Sequence, residues 1–128
     1  MRIISWEEFD LCVKKIVYSC STESFCGVYG FPRGGLCLAV ALSHSLKIPL
    51  LQTPTTGSLV VDDVYETGKT LNQVAQLPGI TTFVWFSKTQ PIWWNAVDIV
   101  NSEEWLVLPW ENRACAEEDK NAYQLSRA

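Results

Sequence analysis

The chain has 128 residues, of which 48% are hydrophobic and 19% charged, and its formal net charge at pH 7 is -4. These values fit a single folded domain and exclude an intrinsically disordered chain or a fibrous repeat. They also argue against nucleic acid as a partner, because no basic stripe is available to displace counterions from a phosphate backbone.

The sequence carries no sign of a membrane segment or of secretion. No apolar run reaches the roughly 18 to 20 residues that a membrane span requires, and the N-terminal segment MRIISWEEFD becomes acidic too soon for a signal peptide. The five cysteines are scattered, with no C-x-x-C spacing and with His44 as the one histidine to complete a metal site. We interpret them as buried thiols in a reducing compartment and expect a cytoplasmic protein without membrane contact.

The first half of the chain alternates helix and strand patterns. A capping box of Ser5 and Glu8, followed by apolar residues at helical spacing, predicts a helix from Trp6 to Ser19. The apolar run FCGVYGF, from Phe25 to Phe31, predicts a buried strand. The next segments predict a helix rich in small residues over GGLCLAVALSHSLK and a short strand over IPLLQ.

The second half continues the alternation. GSLVVDD predicts a third strand, TGKTLNQVAQL a crossover helix that closes at Pro78-Gly79, ITTFVWF a fourth strand and AVDIV a fifth. The polar tail from Glu111 onwards is either a solvated helix or a partly loose segment. Continuous apolar strands that alternate with helices indicate a parallel sheet covered on both faces. The predicted fold class is therefore α/β, with a Rossmann-like parallel sheet flanked by helices.

Two chemically unusual segments, FPRGG and DDVYETGKT, come immediately after predicted strands. Ligands of open parallel sheets bind beyond the carboxyl ends of the strands. The sequence therefore predicts that both segments lie at the ligand-binding edge of the sheet.

Thr67 to Thr70 have the composition of an anion-binding turn. They offer successive backbone N–H groups, two hydroxyls and a glycine at the start of the predicted helix, whose dipole favours an anion such as a phosphate monoester. A Walker A loop is excluded, since G-x-x-x-x-G-K-[ST] requires glycine where this chain has Asp63. The structural alternative is that Thr67 only caps a helix.

Asp62 and Asp63 end the third predicted strand as adjacent carboxylates. Two ionised side chains at this position repel each other and gain nothing from the core, so a group outside the sheet is expected to offset them. Ribose hydroxyls, which donate hydrogen bonds, and Mg²⁺, which takes carboxylate oxygens, both meet this requirement. The alternative is a solvated surface pair.

The stretch LVVDDVYETGKTL resembles the phosphoribosyl pyrophosphate (PRPP) signature of type I phosphoribosyltransferases, in which a strand ending in two acids precedes a T-G-x-T loop. In that family the acids hold the ribose hydroxyls and the loop holds the 5-phosphate. The resemblance implies Mg²⁺ as cofactor and Asp62 and Asp63 as ligands of ribose and metal. It implies a 5-phosphate site formed by Thr67, Gly68, Lys69 and Thr70.

The segment VYGFPRGGLCLAVALSHSL is similar to the pyrophosphate loop of the same family, in the S-R-G-G-L form of bacterial xanthine-guanine phosphoribosyltransferases. The resemblance implies that Arg33, Gly34 and Gly35 bind pyrophosphate. It also implies a cis peptide bond between Pro32 and Arg33, because the family often has a cis non-proline peptide at this place. The alternative is a Gly-Gly turn that opens a helix.

The C-terminal third resembles the purine-binding hood of that subfamily. Lys88, in FSKT, matches the lysine that recognises the 6-oxo group of the base. In EEWLVLPWE, Trp105 matches an aromatic residue that stacks on the purine, and Leu106 a residue whose backbone meets the 2-position; the alternative for Trp105 is core packing. The resemblance implies one domain over residues 1–128, with a core of about 1–88 and a hood of about 89–115, that forms at least a homodimer.

The chain departs from the family at two places. Glu66 stands where the 6-oxopurine enzymes usually have an aspartate near N7 of the base, so the carboxylate is displaced by one methylene. The segment QTPTTG replaces a long flexible loop that closes over PRPP. Closure of that loop excludes water from an oxocarbenium-like transition state, so its loss bears on the reaction.

The resemblance implies an enzyme of purine salvage that joins a 6-oxopurine to PRPP, with Glu66, Asp62 and Asp63 as the catalytic residues. A second hypothesis is a binding or regulatory protein of the same fold that holds PRPP or a nucleotide without turnover. A third, a flavodoxin-like protein, shares the layered architecture but does not explain the acid pair.

Overall fold

The computed structural model describes residues 1–127 and divides them into two compact units. The sheet unit comprises Cys12–Ser102, and the terminal unit combines Met1–Leu11 with the residues from Glu103 onwards. In chain order the elements are β1 (Arg2–Ile3), α1 (Trp6–Ser19), β2 (Val28–Gly30), α2 (Leu36–Leu46), β3 (Leu59–Tyr65), a 3₁₀ helix (Leu71–Val74), β4 (Thr81–Ser87), β5 (Asn95–Ile99), β6 (Leu106–Val107), a second 3₁₀ helix (Arg113–Cys115) and α3 (Ala116–Arg127).

The sheet unit is built on four parallel strands in the order β2-β3-β4-β5. Strands β3 and β4 are the central pair, and their runs Leu59–Val61 and Val84–Phe86 are almost completely buried. Such continuous apolar strands are expected where both faces of a parallel sheet are covered. The predicted α/β fold class with a parallel sheet is confirmed.

Different elements cover the two faces of this sheet. Helix α2 packs against β2 and β3, and Gly30 of β2 leaves room for Ala39 of the helix. Neighbouring residues of a strand point to opposite faces, so Val60 and Val84 belong to the other face. The core cluster on that second face contains Phe31, Val60, Leu71, Val74, Val84 and Trp94.

Three of the predicted elements are shorter than expected. The strand predicted over residues 25–31 is limited to β2, and the strand predicted over IPLLQ is a single bridge between Leu50 and Val28. The crossover helix predicted over residues 67–77 is reduced to the four-residue 3₁₀ helix. Gly68 has φ +81° and its carbonyl accepts the Asn72 N–H at 2.8 Å, so this segment begins as a turn.

Helix α1 has the predicted bounds, and its capping box is formed. The Glu8 N–H donates to Ser5 Oγ at 3.1 Å, while the Ser5 N–H donates to Glu8 Oε2 at 2.9 Å. This reciprocal pair satisfies donors that have no partner inside the helix, which is why the sequence marks the start of α1 so clearly.

The terminal unit contains a strand pair that the sequence did not predict. Strand β1 pairs in parallel with β6, two residues each. The rings of Trp6, Phe9 and Trp110 lie edge to face or tilted at centroid distances of 5.4 to 6.2 Å. The tail, for which two alternatives were open, forms helix α3.

The five cysteines, all within the described residues, have free thiols. Cys12 and Cys20 are buried as predicted, and burial raises their pKa to about 12 and about 11, respectively. The prediction of a buried thiol is wrong for Cys26, which is exposed and lies 3.4 Å from Thr55 Oγ1.

Within residues 1–127 the helices contain 14, 11 and 12 residues. A helix that crosses a bilayer needs about 20 apolar residues. No helix in the described part of the chain is long and apolar enough to do so.

Candidate active site

The carboxyl ends of β2, β3 and β4 bring together most of the predicted site residues. Arg33 to Gly35 follow β2, Glu66 to Thr70 follow β3, and Lys88 follows β4. Because the three strands are parallel neighbours, these turns share one edge of the sheet. The acid pair occupies the last part of β3 itself.

The turn after β2 lies directly against the acid pair. A methyl group on Gly34 would overlap the Asp63 carboxylate, with Oδ1 at 2.8 Å and Oδ2 closer still. A methyl group on Gly35 would meet the Val61 carbonyl oxygen at 2.8 Å. The peptide bond between Pro32 and Arg33 is cis, as predicted. The two glycines therefore let the PRGG turn and the end of β3 approach more closely than any other residues would.

In the PRPP site that the sequence predicts, replacing Gly34 with alanine is expected to weaken binding by about 10-fold or more, because the new methyl group must displace the Asp63 carboxylate. Isothermal titration calorimetry measures the effect. Gly57→Ala is the control, since its methyl group meets open space and only the positive φ of +79° is strained. Equal affinities in the two variants would contradict the expectation.

Asp62 and Asp63 are held by local hydrogen bonds. The Asp63 N–H donates to Asp62 Oδ1 at 2.9 Å, and the Val64 N–H donates to Asp63 Oδ1 at 2.8 Å. Asp62 is 9% exposed. Burial, and then the neighbouring Asp63 carboxylate, raise the pKa of Asp62 to about 8. At neutral pH Asp62 therefore mostly keeps its proton.

At pH values above about 6, the Asp62→Asn variant is expected to have a higher melting temperature than the wild type. Its melting temperature should also depend less on pH. The pKa of Asp62 rises from 3.8 to about 8 on folding, so the native state keeps a proton that the unfolded chain loses between those values. The free energy of unfolding therefore falls as pH rises through this window, and asparagine removes that loss. Thermal melts across the window measure it. Asp10→Asn, at an exposed site on α1, should keep the wild-type slope, and the same slope in Asp62→Asn would contradict the assignment.

The acid pair fits a magnesium ion that arrives with a phosphorylated ligand. Among residues 1–127 no group of three or more histidine, cysteine, aspartate or glutamate side chains could hold a metal. Mg²⁺ commonly binds one or two carboxylates together with substrate phosphates, rather than a cage made only of protein. Asp62 and Asp63 would supply the carboxylate part of such a set.

The turn from Thr67 to Thr70 keeps amides available for an anion. The Lys69 N–H reaches only Thr67 Oγ1, at 3.4 Å, and within residues 1–127 the N–H groups of Thr67, Gly68 and Thr70 donate to no protein acceptor. Because the segment that follows is one turn of 3₁₀ helix, the predicted contribution of a long helix dipole is wrong. Anion binding at this turn would therefore depend on the amides and hydroxyls themselves.

Lys88 and Glu66 form an ion pair, with Lys88 Nζ 3.4 Å from Glu66 Oε1. Their side chains are 6% and 20% exposed, respectively. The register of the sheet explains the pair: Tyr65 lies opposite Ser87, so the next residue of each strand is brought side by side. The sequence predicted both residues for the base site but did not predict that they would contact each other.

Trp105 and Leu106 belong to the terminal unit, not to the sheet unit that carries the other site residues. Leu106 is 7% exposed in β6. The Trp105 carbonyl accepts the Arg2 N–H at 2.9 Å, and its ring lies 5.5 Å from that of Tyr123. Their assignment to the base stays a prediction.

Tyr65 and Trp94 lie beside the site and were missed by the sequence analysis. Their rings are stacked, with centroids 3.8 Å apart and planes 15° from parallel. The Tyr65 hydroxyl lies where a methyl group on Gly68 would be. For Tyr65 the sequence did offer a signal, because an aromatic residue stands between the acid pair and the T-G-x-T turn.

The segment that replaces the flexible loop, residues 52–57, is tied to the amino-terminal edge of the sheet. The Gly57 N–H donates to the Pro78 carbonyl at 3.3 Å, and the Gly57 carbonyl accepts the Cys26 N–H at 3.2 Å. Ser58 Oγ donates to the Thr55 carbonyl at 2.6 Å. Strand β3, with 7 residues, separates this segment from the acid pair's end of the sheet by roughly 20 Å. In this position the segment does not cover the site.

The chain resembles solved structures of phosphoribosyltransferases. The purine phosphoribosyltransferase of Pyrococcus horikoshii is 27% identical, covers 87% of this chain and 94% of its own, and gives a TM-score of 0.73. The xanthine-guanine-hypoxanthine phosphoribosyltransferase of Helicobacter pylori is 20% identical over 96% of this chain and 98% of its own, with a TM-score of 0.64. The orotate phosphoribosyltransferase of Aeropyrum pernix is 17% identical over 72% and 71%, with a TM-score of 0.59.

No protein-family model and no curated protein sequence matches the chain. Its relationship to the solved structures is therefore visible mainly in three dimensions. Those proteins are named for different bases, purines in two cases and orotate in the third, so what they share with this chain is the fold. The chain has the type I phosphoribosyltransferase fold.

Proposed function

We propose that the protein is a Mg²⁺-dependent purine phosphoribosyltransferase that joins a 6-oxopurine base to PRPP and releases pyrophosphate. The observation that carries the proposal is the Lys88–Glu66 ion pair beside the end of β3, the strand that also carries the acid pair and is followed by the anion-binding turn. A base site and a sugar-phosphate site then adjoin each other, as transfer of the sugar requires.

The ion pair supports a 6-oxopurine rather than adenine. Lys88 offers N–H donors and Glu66 offers acceptors. The O6 atom of a 6-oxopurine accepts from the lysine, and the N7–H tautomer of the free base donates to the glutamate. Adenine presents a 6-amino donor in place of the 6-oxo acceptor, which reverses the polarity at Lys88, while its N7–H tautomer donates to Glu66 just as that of a 6-oxopurine does. A site built for one hydrogen-bonding pattern rejects the other strongly.

The sugar-phosphate end follows the same logic. Asp62 and Asp63 would accept hydrogen bonds from the ribose diol, while the amides and hydroxyls of Thr67 to Thr70 would bind the 5-phosphate. Arg33 and the backbone of Gly34 and Gly35 would bind pyrophosphate. Magnesium, held by the acid pair, would neutralise charge on the diphosphate.

In the proposed reaction, N9 of the base forms a bond to C1 of the ribose as the bond from C1 to pyrophosphate breaks. Pyrophosphate leaves with the electron pair, and Glu66 accepts the proton from N7. Arg33 and the adjacent amides would stabilise the charge that develops on pyrophosphate.

The second candidate is a protein of this fold that binds PRPP or a nucleotide without turnover. The observation that favours it is the attachment of residues 52–57 to the amino-terminal edge of the sheet, where they do not shield the reacting carbon from water. Binding needs only the edge loops, whereas efficient transfer also needs water to be excluded.

An activity assay with a parallel binding measurement separates the two. The full chain is incubated with PRPP, Mg²⁺ and guanine, hypoxanthine, xanthine or adenine, and nucleotide formation is followed by chromatography, while titration calorimetry measures PRPP binding. Product from a 6-oxopurine but not from adenine supports the enzyme. PRPP binding without product from any base supports the second candidate. Absence of PRPP binding would overturn both.

A further inference from the structure

The Tyr65–Trp94 pair has no part in the proposed reaction, yet it contacts both ends of the site. Trp94 is 5% exposed and belongs to the core cluster, and Tyr65 packs against that cluster at the end of β3. A centroid distance of 3.8 Å with nearly parallel planes is a close stack, so a shift of one ring must move the other.

At the phosphate end the contact is with Gly68. A methyl group at this position would overlap the Tyr65 hydroxyl and lie 2.8 Å from Cζ of the ring. Gly68 also has φ +81°, a conformation that defines the turn from Thr67 to Thr70. The tip of Tyr65 therefore supports the backbone whose amides are proposed to bind the 5-phosphate.

At the base end the contacts surround Lys88. Its own N–H donates to the Tyr65 carbonyl at 2.9 Å. Trp94 Nε1 donates to Ser87 Oγ at 3.3 Å, and Ser87 Oγ donates to the Thr89 carbonyl at 2.7 Å. The residues before and after Lys88 are thus linked to the Trp94 side chain, while the Lys88 N–H is bonded to the backbone of Tyr65, next to the paired residues of β3 and β4.

We propose that Tyr65 and Trp94 are positioning residues that hold the 5-phosphate turn and the base lysine in a fixed relation to each other. The inference rests on the proposed function, since it concerns the two ends of that site. The stacked rings form one rigid body with the Gly68 contact at one end and the Ser87–Thr89 segment at the other. Neither residue is proposed to touch the substrate.

Three substitutions test the two ends separately, with ribose 5-phosphate as the probe of the phosphate end and inosine monophosphate as the probe of both ends. Tyr65→Phe keeps the stack and removes the hydroxyl, and it should weaken the binding of both ligands by the same factor. Ser87→Ala should weaken only inosine monophosphate. Trp94→Leu should weaken the binding of ribose 5-phosphate by about 3- to 10-fold. It should weaken the binding of inosine monophosphate by an additional factor of about 3 to 10, because that ligand occupies both ends.

Trp85→Phe is the matched control. Trp85 is a buried aromatic residue of β4 that stacks on Phe86 at 4.8 Å. Its truncation should lower the melting temperature without changing either dissociation constant. If Trp94→Leu behaved in the same way, the pair would have only a packing role and the inference would be overturned.

A measurement without ligand keeps this result separate from the proposed function. Hydrogen exchange of the Lys88 amide should be at least about 10-fold faster in Trp94→Leu than in the wild type or Trp85→Phe, when the proteins are compared under conditions that give them equal free energies of unfolding. Unchanged exchange would contradict the positioning role. Wild-type protein that binds neither ligand would instead contradict the proposed function, while the exchange result would still decide the role of the pair.

Discussion

Replacing Asp63 with asparagine and Thr67 with alanine together is expected to abolish the thermal stabilisation of the protein by PRPP. The first change removes charged acceptors for the ribose diol, and the second a hydroxyl from the 5-phosphate turn. A hydrogen bond to a charged group contributes about 1.5–3 kcal/mol, so the two changes should raise the dissociation constant by roughly 100-fold or more. The physical reason is that both ends of one sugar phosphate lose their partners at once.

The size of the shift follows from linkage. At a ligand concentration of about 100 times the wild-type dissociation constant, binding stabilises the native state by about 2.7 kcal/mol, and a 100-fold weaker complex leaves only about 0.4 kcal/mol. Differential scanning fluorimetry with and without PRPP and Mg²⁺ measures it. The control Asp10→Asn with Thr53→Ala makes the same chemical changes at exposed positions. A wild-type shift in the Asp63 and Thr67 variant would show that PRPP binds elsewhere.

Exchanging the partners of the ion pair, Glu66→Lys with Lys88→Glu, is expected to slow transfer and to shift the preference for the base from guanine towards adenine. The exchange retains the opposite charges but places the donor where N7 lies and the acceptor where the 6-substituent lies. An acceptor at the 6-position suits the amino group of adenine and opposes a 6-oxo group, while loss of the Glu66 carboxylate at N7 slows transfer to both bases. The value of kcat/KM for guanine should fall by about 10²- to 10⁴-fold, and the ratio of adenine to guanine turnover should rise.

Two further variants assign this result to the base site. Lys88→Gln alone should lower kcat/KM for guanine and leave the KM for PRPP within about 3-fold, because the sugar-phosphate residues are unchanged. Lys14→Gln, at an exposed position of α1, should leave both values unchanged. If the double variant kept its preference for guanine, the ion pair would not determine which base is bound.

The position of the site could be predicted because its determinants are local. Buried parallel strands appear as continuous apolar runs, so the ends of β2 and β3 could be located and the polar segments after them assigned to one edge. The start of α1 was equally clear, since Ser5 and Glu8 cap the helix through bonds three residues apart. The cis bond before Arg33 came from the resemblance and is confirmed.

The remaining features depend on contacts that are distant in sequence. The Lys88–Glu66 pair arises from the register between β3 and β4, which no local pattern specifies. The turn at Gly68 replaces a predicted helix because it packs against Tyr65, whose own place is set by Trp94, 29 positions further along the chain. Strands β1 and β6 are two residues each, too short to show a period of alternation.

Because Asp62 holds a proton near neutral pH, ligand binding at the site should be coupled to the release of that proton. Donors from a ribose diol, or a divalent cation, favour the ionised form of the Asp62 carboxyl, whose pKa is raised to about 8 by burial and by the neighbouring Asp63 carboxylate. Complex formation near neutral pH should therefore expel up to one proton into the solvent. Calorimetric heats should then differ between buffers according to their own ionisation enthalpies, and affinity should improve as the medium becomes mildly alkaline.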